Sequence, residues 1–85
     1  MGENTMLRRK QAAKEFGLCV SQTYVQESKG LIPKFISIGA RAKALPQREV
    51  YAVNDARIAG KSDDEIREIV KTLMKQRNNF SLKAA

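Results

Sequence analysis

Histidine and tryptophan are absent from this 85-residue chain, which holds one cysteine, two prolines, two tyrosines and three phenylalanines. Without histidine there is no Ser-His or Cys-His pair to activate a nucleophile, and the lone Cys19 cannot complete a zinc cage. Cys19 also has no internal disulfide partner, which fits a cytoplasmic protein. Long apolar runs are missing too. No stretch approaches the roughly 18 residues that cross a bilayer, and residues 1 to 20 lack the continuous apolar segment of a secretion signal. Gly2 does not open a myristoylation motif, because Met6 stands where that motif requires Ser or Thr. Neither a metal, a cofactor nor a membrane is expected.

What the chain does have is positive charge: 16 Lys and Arg against 9 Asp and Glu, a net charge of +7. Most of the excess lies in residues 1 to 45, where eight basic side chains face three acidic ones. Such a surface attracts nucleic acid or an anionic membrane, and a ribosome-like or simply soluble basic protein is the plain alternative. The length allows one domain with a single modest core, and an apolar fraction of 42% is sufficient to build it.

The pattern along the chain predicts a mainly α domain with a small β-hairpin. Residues 1 to 6 read as a flexible start. In "RRKQAAKEFG", Ala12, Ala13 and Phe16 share a helical face, and Gly17 supplies the stop. A second helix is predicted from about Val20 to Lys29, closed by Gly30. Two short helices joined by a tight glycine-containing turn have the sequence shape of a helix-turn-helix. Phe35 to Ile38, a tip at Gly39-Ala40 and the returning "RAKAL" make a two-stranded wing. Pro46 fits the first position of a third helix whose Val50, Val53 and Ile58 face the core, with Tyr51 near the edge. Ser62-Asp63-Asp64-Glu65 fits a capping box. The helix it starts, about 62 to 77, places Ile66, Ile69, Val70, Leu73 and Met74 on one stripe, and residues 78 to 85 read as a tail. The domain therefore spans 7 to 77.

On a wheel, Val20, Thr23 and Tyr24 gather on one side of the second helix and Gln22, Gln26 and Lys29 on the other. Glutamine amides one turn apart can offer a donor and an acceptor to an adenine edge, while Lys29, Ser21 and Ser28 reach phosphates. The plain alternative is a solvated polar face. Basic residues at three separate regions favour DNA: Arg8, Arg9 and Lys10 at the first helix, Lys29 on the second, and Lys34, Arg41 and Lys43 around the wing. Arg41, just after the tip, is placed for a narrow minor groove.

The order of these elements resembles the AlpA family of small phage and prophage DNA-binding regulators, relatives of the winged-helix MerR-like domains. The resemblance runs from about Leu7 to Arg77. It rests on "LRRKQAAKEFGL", on Ser21 and Tyr24 in an S-x-x-Y segment, and on "GLIPK", "IGARA", "REVYAV" and "ARIAGKSDDEI". Leu45 and Val53 stand where the family usually has tryptophan. The resemblance implies a winged helix-turn-helix with an additional C-terminal helix. It further implies an excisionase or transcriptional regulator of a mobile element, with double-stranded DNA, an integrase and further copies of itself as partners. Ser21, Tyr24 and Arg41 are the contacts it implies. An enzyme is not expected. The alternative function is a protein-interaction adaptor that docks through the apolar stripe of the last helix.

Overall fold

The computed structural model describes residues 5 to 84. Two glycine-terminated helices come first, α1 (Arg9–Phe16) and α2 (Val20–Ser28), preceded by a short strand β1 (Met6–Arg8). A hairpin of β2 (Ile36–Ser37) and β3 (Lys43–Pro46) leads into α3 (Gln47–Ile58), and α4 (Asp63–Ala84) closes the chain. The result is a small mainly α domain of four helices with a three-stranded antiparallel sheet.

Gly17 ends α1 at φ 74°, a conformation in which a side chain would be strained. Its amide donates back to Lys14 and the Leu18 amide to Ala13, turning the chain within three residues so that α2 starts at Val20. The hairpin tip closes where the Ile38 amide donates to the Ala42 carbonyl.

The sheet differs from the two-stranded wing expected. β3 lies in the middle, paired with β2 (Ile36 opposite Ala44) and also with β1 (Met6 opposite Pro46, Leu7 opposite Leu45, Arg8 opposite Ala44). Residues 5 and 6 of the expected flexible start are thus held: the Thr5 carbonyl accepts the Gln47 amide and Met6 is in the ladder. Residues 1 to 4 lie outside the described residues. Backbone groups along the second edge of β3 need partners, and the segment before α1 supplies them. Pro46 is the last residue of β3 and caps α3 from outside in an extended conformation, rather than being its first residue.

The core joins Ala12, Leu31, Ile32, Phe35, Leu45, Val50, Val53, Ala56, Ile66 and Val70, with Leu7, Phe16, Ile69, Leu73 and Met74 packed against it. Ile58 does not take part. It is 83% exposed, because the face set by Val50 and Val53 is completed by Ala56. The capping box forms as expected: the Ser62 amide donates to Glu65 Oε1 (2.9 Å) and the Glu65 amide to Ser62 Oγ (3.3 Å). α4 continues beyond the expected end at Arg77 to Ala84, since "NNFSLKA" contains neither proline nor glycine to stop it. Residue 85 of the expected tail lies outside the described residues. Among the described residues no helix is long and apolar enough to cross a membrane.

Candidate nucleic-acid interface

The start of α1 is covalently continuous with β1, and β1 is paired to β3, so the first basic triplet and the returning strand of the hairpin are held side by side. α2 packs against α1 across the Gly17 turn. These three constraints open a cleft of about 410 Å³ lined by Arg8, Arg9, Lys10, Tyr24, Arg41 and Lys43. Among the described residues no carboxylate lines it. Residues from the α1 start, α2 and the hairpin, separated by more than 30 positions in sequence, meet at one cationic surface.

The cations in the cleft are not equivalent. Among the described residues the side chains of Arg8, Lys10, Arg41 and Lys43 form no ion pair, and all four residues are exposed. Arg9 is engaged on every side. Its Nη1 donates to Thr23 Oγ1 (3.1 Å), its Nη2 to Glu27 Oε1 (2.9 Å), and its guanidinium lies 3.9 Å from the Tyr24 ring centre and 3.8 Å from that of Phe35. Glu27 Oε2 in turn accepts the Phe35 amide (3.0 Å). One arginine therefore ties α1, α2 and the approach to the hairpin together, and holds Tyr24 by cation–π stacking.

This network fixes the rotation of α2 about its axis. Thr23 is fully buried because its hydroxyl has partners in Arg9 and the Val20 carbonyl. Thr23 and Glu27, one turn apart, thus form the inward side, whereas Val20 and Tyr24, expected on the core side with Thr23, are 39% and 58% exposed. Ser21, Gln22, Ser28 and Lys29 are exposed as a reading face requires. Gln26 is not on that face. It is half-buried, its Oε1 accepts Arg57 Nη2 (3.2 Å), and with Phe16, Leu18, Ile32 and Arg57 it lines a separate cleft of about 190 Å³. The pairing of Gln22 with Gln26 on one open face does not occur.

Sequence reasoning did not assign Thr23, Glu27 and Phe35 to the site. The signal that could have found them is the i, i+4 placement of Thr23 and Glu27 on a helix otherwise facing basic segments. The apolar stripe of α4 packs inward: Ile66 and Val70 are buried, and Ile69, Leu73 and Met74 rest against the same core. Among the described residues no three His, Cys, Asp or Glu side chains are grouped to hold a metal ion. The chain matches no protein-family model, and comparison with curated proteins and with solved structures likewise finds no match.

Proposed function

We propose that this chain is a sequence-specific double-stranded DNA-binding protein of a mobile element, acting as an excisionase, a transcriptional regulator or both. On this reading the fold is a winged helix-turn-helix of MerR-like type. α2 lies in the major groove, and the β2–β3 hairpin is the wing, with Arg41 in the adjacent minor groove. The observation that carries the reading is the cleft, without a carboxylate among the described residues, in which cations from the α1 start and the hairpin meet Tyr24 of α2. That grouping suits a duplex backbone running beside the groove a helix occupies. The AlpA-like order of sequence motifs supplies the mobile-element part of the proposal.

Arg8, Lys10, Arg41 and Lys43 grip phosphates or the minor groove, Ser21 and Gln22 face base edges, and Tyr24 and Lys29 border the contact. Catalysis plays no part. A single module of this kind covers roughly 600 to 1,000 Å² on DNA, so several copies binding neighbouring sites provide the affinity. Together they bend the duplex for an integrase, at a cost on the order of 1 to 6 kcal/mol for a site of 20 to 30 bp.

Anisotropy titration of labelled duplex over a range of salt concentrations tests the core of the proposal. Four cationic side chains that displace counterions from the duplex give a slope of log affinity against log salt of roughly −3.6. A flat salt response, or no complex with any duplex, overturns it. Integrase-dependent excision measured with and without the protein, beside a promoter reporter, separates the two biological roles.

A further inference from the structure

We infer that Val25 reads the C5-methyl group of a thymine, so that the site bound by α2 contains a thymine at its centre. The inference rests on the DNA-binding reading and goes beyond it by naming a base. It follows from the rotation of α2 that Arg9 imposes. At about 100° per residue, the exposed arc runs from Val20 and Tyr24 through Ser28, Ser21 and Val25 to Lys29 and Gln22. Its centre falls at Ser21 with Val25 beside it, on the side away from the buried Thr23. Gln22 is at one edge, next to the Gln26 side that Arg57 covers.

Val25 is apolar and 38% exposed next to this centre, whereas Val20, 39% exposed, lies at the end of the arc. Its neighbours one turn away on the same face are serines, Ser21 and Ser28, and the Ser28 hydroxyl is folded back onto the Val25 carbonyl (2.8 Å). The face is therefore small in profile, lets the helix backbone come close to the groove floor, and offers two methyl groups where they arrive first. Its flank is cationic, which matches the phosphate rims of a duplex. In the major groove only thymine presents a methyl group among the four bases, and apolar side chains contact it.

The test begins by selecting duplexes from a random library with the full chain. Each thymine of the enriched site is then replaced singly by deoxyuridine, which removes the methyl and keeps every hydrogen-bonding group. Affinity should fall about three- to fivefold at one or two positions, the factor expected from losing one buried methyl contact. Val25→Ala should lose a similar factor on the thymine duplex and show no further loss on the deoxyuridine duplex, while Gln22→Ala keeps the deoxyuridine effect. Val25→Ala is an exposed substitution to a better helix former, so folding is retained. An enriched site without thymine at its centre, or a flat deoxyuridine scan, overturns the inference and leaves DNA binding standing. Failure to enrich any duplex defeats both.

Discussion

Arg77 and Arg9 each reach a glutamate in a distant segment, yet the surroundings of the two pairs differ. Arg77, on α4, donates to both carboxylate oxygens of Glu49 on α3 and to the Lys34 carbonyl, and Glu49 is 1% exposed. Arg9 gives one donor to Glu27 and another to Thr23, is flanked by two rings, and lines the cationic cleft. The first pair is a scaffold bolt between helices that do not line the cleft. The second is a bolt located inside the proposed interface. A basic side chain in a basic cluster is thus not necessarily available to a phosphate, and what decides is whether a carboxylate has already claimed it.

The largest expected effect breaks the first pair. Arg77→Ala leaves the Glu49 carboxylate buried and alone, which costs about 3 to 5 kcal/mol. Against the roughly 5 to 15 kcal/mol of a small domain this comes close to unfolding it. Thermal unfolding followed by circular dichroism measures it, and the double variant Arg77→Met, Glu49→Gln should recover part of the loss by removing both charges.

Next comes the second pair. Arg9→Ala should destabilise by about 1 to 3 kcal/mol through the unpaired Glu27 and the lost ring contacts. It should weaken DNA binding with little change in salt slope, because Arg9 is already neutralised by a carboxylate. Arg41→Ala is the converse: an unchanged melting temperature and a salt slope shallower by about 1. Equal slope changes for both variants would mean that Arg9 and Arg41 are equally available to phosphate.

The smallest effect concerns the α4 cap. Ser62→Ala should cost about 1 kcal/mol, or roughly 4 to 8 °C in melting temperature. The Ser62 backbone amide, followed by its hydroxyl, holds the Glu65 carboxyl below its ordinary pKa. In acid the unfolded chain therefore takes up this proton first. The cap's contribution is fully present above the ordinary carboxyl range and is lost as pH falls through the lower folded value. A pH series of melts on wild type and Glu65→Gln should converge in acid, where the Glu65 carboxyl is neutral in both states.

Local signals carried much of this architecture into the sequence. Gly17, Gly30, the capping box and the α4 stripe each act within a turn or two, so α1, α2 and α4 could be placed from composition and spacing. β1 could not, since three residues have too little alternation to announce a strand, and its partner edge is created by a segment nearly 40 residues away. The cationic cleft was legible as residue types: Arg8, Lys10, Tyr24, Arg41 and Lys43 do converge. The phase of α2 was not. A wheel gives angles between residues but not which angle points inward, and that zero is set by the bonds of Arg9 to Thr23 and Glu27. Gln26 and Val25 exchange prominence for this reason. Buried Glu49 gave no sign, because its partner lies 28 residues on.

The strand hydrogen-bonded to the outer side of β3 has one more effect, on the dynamics of the hairpin. With ladders on both sides of its returning strand, the stem is already immobilised before any encounter, and only the few residues around Gly39 and Arg41 remain outside the pairing. Conformational freedom surrendered on docking is then confined to that tip. Association should resemble the seating of a rigid prong, fast and with little coupled folding.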